Sequence, residues 1–98
     1  MVKKRNYEIA FILKEGDVGK ASLERIKGYL NKVKGTQTGE HDMGIRQLAY
    51  TIFKNREKFN KAFYYFLKAE MEPSHVVDFE RLIKLDEDII RHMVIVED

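Results

Sequence analysis

Hydrophobic positions along the chain fall into six stretches separated by polar or glycine-containing breaks. Tyr7, Ile9, Phe11 and Leu13 share one face of an alternating run, with Glu8, Ala10 and Ile12 on the other, which predicts a strand with one face buried. Lys14-Glu15-Gly16-Asp17 breaks it, and Asp17 is the expected N-cap of a helix. From Val18 to Val33 the apolar set Leu23, Ile26, Leu30 and Val33 has helical spacing, ended by Gly35 and then Gly39. A polar segment, Thr36 to Asp42, leads into Met43–Lys54. There Leu48, Tyr50 and Ile52 alternate on one face, whereas Met43 and Ile45 alternate in the opposite phase. The change of phase between Ile45 and Leu48 predicts a bulge or strong bend, with Gly44 close by to ease it. Lys54 to Lys61 reads as a basic loop. Phe63 to Met71 is the next strand, with Tyr65, Leu67, Ala69 and Met71 on one face and Tyr64 and Phe66 on the other; two aromatic faces predict a central position. Pro73 suits a first helical residue. Val76, Phe79, Leu82 and Ile83 supply a second helical stripe, Leu85 to Asp88 closes it, and Ile89 to Val96 is a last strand.

Strand, helix, strand, strand, helix, strand is the order of an α+β, ferredoxin-like βαββαβ sandwich. Right-handed crossovers put both helices on one face of a four-stranded antiparallel sheet, with the first and third strands central. The other face stays open, and Ile12, Tyr64 and Phe66 would form an apolar patch on it, suited to a protein contact or to base stacking.

Ninety-eight residues make one expected domain, 1–98, with a single modest core. The chain is 44% hydrophobic and 35% charged, within the range of folded globular proteins. It has no cysteine, hence no disulfide framework and no thiolate metal site. No apolar run of signal-peptide or membrane-spanning character occurs, so secretion and membrane insertion are unsupported. Net charge is only +2, but it is unevenly placed. Residues 1–69 hold 15 basic and 7 acidic side chains, and residues 70–98 hold 3 basic and 9 acidic. Such asymmetry suits a protein that turns one surface to a polyanion and another to a basic partner; an acidic C-terminal helix serving solubility explains it equally.

Little points to catalysis. His41, His75 and His92 fall in a loop, a helix start and a strand, without metal-ligand spacing. Neither phosphate-binding glycine motif is present, and the first strand–helix turn, with one glycine and mixed charge, is unsuited to cradling phosphate in a small phosphatase-type enzyme. Asp86, Glu87 and Asp88 lack the carboxylate spacing of a Ca²⁺ loop. No enzyme activity, cofactor or metal is expected.

Gly44-Ile45-Arg46-Gln47-Leu48-Ala49-Tyr50-Thr51-Ile52 resembles a strand characteristic of the family of the sixth protein of the bacterial small ribosomal subunit. Arg5-Asn6-Tyr7-Glu8, Phe63 to Met71 and Leu85 to Val94 match the same family in the same order, so the likeness covers nearly the whole chain. Thr51 stands where the family often has proline. The resemblance implies the ferredoxin-like fold and a structural role in the cytoplasmic ribosome. It also implies binding to the central domain of 16S ribosomal RNA together with the subunit's eighteenth protein, and neither a membrane nor a small-molecule substrate. On that basis Arg5, Arg46, Lys54, Arg56, Lys58 and Arg91 are candidates for phosphate contact, and Tyr50, Tyr64 and Phe66 for the partner-protein surface. The alternative is a regulatory or dimerisation module on the same fold without RNA binding, which would need a pocket or a self-complementary sheet edge.

Overall fold

The computed structural model describes residues 3–97; Met1, Val2 and Asp98, the ends of the expected domain, lie outside the described residues. The elements are β1 (Arg5–Leu13), α1 (Asp17–Lys32), β2 (Thr36–Lys54), β3 (Glu57–Met71), α2 (Pro73–Leu85) and β4 (Ile89–Glu97). The sheet order is β2-β3-β1-β4 with every neighbouring pair antiparallel, the expected ferredoxin-like arrangement with β1 and β3 inside.

Alternation in the two inner strands builds the main core. Tyr7, Ile9, Phe11 and Leu13 of β1 stand beside Phe63, Tyr65, Leu67, Ala69 and Met71 of β3, all buried. Ile26 and Leu30 of α1 and Phe79 and Ile83 of α2 close over them. Phe11 and Tyr65 stack with ring centroids 6.2 Å apart. Side chains of this size each bury enough apolar surface to contribute about 1.5–3 kcal/mol, which is why the stripe spacing dictates where the helices sit.

The first helix begins one residue earlier than its sequence suggests. Gly16, with φ of 81°, is the N-cap, and Asp17 is the first helical residue rather than the cap, with no side-chain cap hydrogen bond. Asp17 still places a negative charge in the first turn, where the helix dipole favours it. Gly19 is required by proximity: a Cβ there would lie 1.9 Å from the Lys14 carbonyl oxygen. At the other end Lys34, at φ of 61°, takes the left-handed position. Its N–H donates to Asn31 O and that of Gly35 to Leu30 O, satisfying carbonyls that the helix leaves without partners. Gly35 is needed there because a Cβ would meet Leu30 Cδ1 at 2.4 Å.

A partly buried polar network ties α1 to the connection between α2 and β4. Arg25 donates to both oxygens of Asp86 at 2.8 and 3.0 Å, to Asp88 at 2.8 Å and to Ser22 at 3.1 Å. Tyr29 donates to Asp86 at 2.7 Å, and so does the Asp88 N–H at 3.1 Å. Burial opposes ionisation of Asp86, but the hydrogen bonds from Arg25 and Tyr29 prevail and hold its carboxyl below the ordinary carboxylate range. Two of the acidic trio, Asp86 and Asp88, thus fasten the helix, while Glu87 is exposed.

The largest departure from the sequence pattern lies in β2 and β3. Thr36 to Asp42 is strand, not a polar lead-in, and the supposed basic loop is mostly strand with a two-residue turn. Asn55 and Arg56 have φ of 51° and 66°. Two positive angles in succession are the turn that follows the twist of a hairpin. Helical or loop patterning was not the guide here; pairing between two long polar strands was. The resulting hairpin gives the molecule its 45 × 22 × 21 Å extents.

Candidate nucleic-acid interface

The outer half of this hairpin is an arm, bent by a break in pairing. Gln47 faces Lys61 and Ile52 faces Phe59, so Leu48 to Thr51 stand against the single residue Asn60. The irregularity lies slightly beyond the expected Ile45–Leu48 position. A second one falls at Asp42/Gly44, where Gly44 has φ of 74° and its N–H donates to Asp42 at 2.8 Å. Thr51 donates to Asn60 at 2.7 Å inside the larger bulge. Leu48, Tyr50 and Ile52 therefore do not share one environment: Ile52 is buried, Leu48 half-buried, and Tyr50 is 71% exposed. Extra residues in one strand re-aim the side chains that follow, which defeats simple alternation.

The bend folds the arm against the ends of β1 and β4. Ile52, Ala62 and Ile90 form a second apolar cluster, joined by Ile12, Leu48, Phe59 and Tyr64. Lys54 donates to the carbonyls of Ile89 at 2.7 Å and Ile90 at 3.1 Å. Lys14 pairs with Glu57 at 3.0 Å and Asp88 at 3.4 Å, and lies 5.8 Å from the Phe59 ring centroid. The hydrogen bond to Glu57 is the chief reason the Lys14 ammonium holds its proton above the ordinary lysine range. The arm is thereby a positioned element.

The six candidate cations do not form one patch. Arg46, Arg56 and Lys58 are exposed along the arm, with Lys61 beside them. Arg46 donates to Met43 O at 3.3 Å, and Lys58 sits 5.7 Å above the Phe53 ring. Lys54 is turned inward to β4, where it lines a shallow cleft with Arg91. Arg5 stands opposite Met71, at the far end of β3, on the order of 40 Å from Lys58 at about 3.3 Å per strand residue. The aromatic candidates separate too: Tyr50 projects from the bulge, Tyr64 packs in the second cluster, and Phe66 lines an open-face groove with Glu8, His41, Met43 and Lys68. Phe53, 68% exposed beneath Lys58, joins these aromatics only in the folded chain. Its only signal in the sequence was an aromatic next to the basic stretch.

Among the described residues, no three His, Cys, Asp or Glu side chains gather as a metal ion would require, and no helix is long and apolar enough to cross a membrane. Fold and surface together define a small ferredoxin-like domain with an uncovered sheet face and a cationic arm. The sequence model for "Ribosomal protein S6" matches residues 6–96, and the chain belongs to that family. It is 37% identical over 95 residues to small ribosomal subunit protein bS6 of Helicobacter acinonychis (strain Sheeba) and 38% identical over 95 to that of Helicobacter pylori (strain ATCC 700392 / 26695). Each alignment covers 93% of this chain, which spans 63% of the length of these curated relatives. The crystal structure of 30S ribosomal protein S6 from Thermotoga maritima superposes with a TM-score of 0.82 at 27% identity, covering 97% of this chain and 89% of that one.

Proposed function

We propose that this chain is a structural constituent of the small ribosomal subunit in the cytoplasm, and that it binds the central domain of 16S ribosomal RNA together with the eighteenth small-subunit protein during assembly. The family match from residue 6 to residue 96 carries the reading. The arm supplies a means. Arg46, Arg56 and Lys58 project from a hairpin held in place by Lys54, Lys14 and the second apolar cluster, so phosphate contacts cost little ordering of the backbone. Tyr50 and the lysine-capped Phe53 offer surfaces on which unpaired bases can stack. Arg5 lies far enough from the arm tip to meet another stretch of backbone, whereas Arg91 flanks the base of the tip beside Lys54. Phe66 and the exposed rim of Tyr64 lie on the uncovered sheet face, where a basic partner protein would also find Glu8 and Glu70. Backbone and shape contacts would dominate, with the partner completing the RNA surface. Residues 1–98 act in this reading as one domain, without a catalytic role, a membrane or a small-molecule substrate.

The experiment is a titration into a central-domain 16S RNA fragment, with and without the eighteenth protein, at two salt concentrations. Tight, salt-sensitive binding that requires the partner is expected. Reversing Arg46 and Arg56 to glutamate should weaken it and lower the salt slope by about 2. Binding with an unchanged slope would remove the arm from the interface; no binding in any condition would remove the RNA reading.

A further inference from the structure

The two outer strands of the sheet present very different edges. β2 is broken three times in its pairing with β3 and carries Gly39, Gly44 and the bulge, all features that discourage another strand from adding to it. β4 pairs with β1 from Glu97 to Arg91 without a break. Residues opposed across antiparallel strands point the same way, so Arg91, Met93, Ile95 and Glu97 stand on the open face with Ile12, Ala10, Glu8 and Asn6. Along this edge Met93 is 59% exposed, Ile95 42% and Val96 48%. Neither proline nor lysine guards it.

The run from Arg91 to Glu97 complements itself. Reversed about Val94, it sets Arg91 opposite Glu97 of a second copy, Met93 opposite Ile95, His92 opposite Val96, and Val94 opposite itself. We propose that β4 pairs antiparallel with β4 of a second copy of this chain, joining two sheets into one of eight strands. Charge complementarity selects this occupant and this register. Sliding the pairing by two residues puts Arg91 opposite Ile95 or beyond Glu97, and sliding by one mismatches the faces. At the Val94 register both ends carry an arginine–carboxylate pair, and the apolar side chains meet between them. The Lys68–Glu97 contact, at 3.9 Å with both side chains about half exposed, leaves the carboxylate open to Arg91 of the second copy. The partner would end short of Ile89 and Ile90, whose carbonyls Lys54 already engages. This inference does not depend on RNA binding, and its test reads mass and cross-linking alone.

Sedimentation equilibrium of the chain from about 10 μM to about 1 mM should show a monomer–dimer equilibrium, the range suited to an interface below standard size. Arg91→Glu should weaken the dimer about tenfold, Glu97→Arg similarly, and the double exchange in one chain should restore it. The chain contains no cysteine, so single-cysteine variants report the register directly. Val94→Cys would bring Cα atoms about 5 Å apart, within disulfide reach, whereas Ile95→Cys would leave them about 8 Å apart. Oxidation should therefore link the first at least about tenfold faster than the second, with circular dichroism verifying that both remain folded. A monomer at every concentration overturns the proposal, whatever else then pairs with the edge. So does a dimer indifferent to the charge reversals, or equal cross-linking of the two cysteine variants.

Discussion

The two faces of this sheet carry similar alternating apolar residues and come to different ends. On the helical face Tyr7, Ile9, Phe11, Tyr65 and Leu67 are sealed by Ile26, Leu30, Phe79 and Ile83 into one continuous core. On the other face Ile12, Tyr64 and Ile90 are covered only where the β2–β3 arm bends over them, and beyond that cover Phe66, Met93 and Ile95 remain accessible. An apolar residue in a strand specifies a preference for burial; whether it becomes core or contact surface depends on what another part of the chain lays across it. The covered face supports stability. The uncovered one is available for partners.

The sharpest test of this division is truncation on either side. Phe79→Ala, fully buried on the inner face of α2, should destabilise by about 3–5 kcal/mol in denaturant titration, because transfer and cavity costs add in a site that cannot collapse. Ile52→Ala beneath the arm should cost less, about 2 kcal/mol, since its cluster is small and edged by solvent. Its more telling effect should be local: amide exchange should rise in residues 48–60 and leave α1 unchanged. Global loss of protection in that variant would mean that the arm is part of the main cooperative unit and that the two faces are not separable.

The smallest expected effect concerns the fastener on the helical side. Asp86 has a carboxyl held below its ordinary value, as Arg25 and Tyr29 outweigh the opposing influence of burial. Its contribution is therefore complete above the unfolded value, near pH 4, and is lost as pH falls through the lowered folded one. Thermal melts between about pH 5 and pH 2 should show this loss, and Asp86→Asn should be less stable at neutral pH but shallower in acid. An unchanged acid slope in Asp86→Asn would assign the dependence to other carboxylates, with Glu40, held low chiefly by the Tyr65 hydroxyl, the next to replace.

The sequence by itself determined the six elements, their order and the buried face of every strand with uninterrupted alternation. At β1, at residues 63–71 and in the helical stripes, local period and burial coincide, because each side chain answers to one face only. The family could also be read from four ordered segments. Other features required the folded chain. Thr36 to Asp42 became strand because β3 offered a partner; Gly16 displaced Asp17 as the cap because the turn needed a positive φ. Tyr50 parted from Leu48 and Ile52 because four residues oppose Asn60. The six cations, equivalent as symbols in a sequence, were sorted by geometry into arm, cleft and far edge, with Lys54 turned inward to two backbone carbonyls. Charge and hydrophobicity are properties of residues, legible in order along a chain. Pairing register, bulges and the neighbours they create are relations between residues distant in sequence, and only tertiary structure sets those.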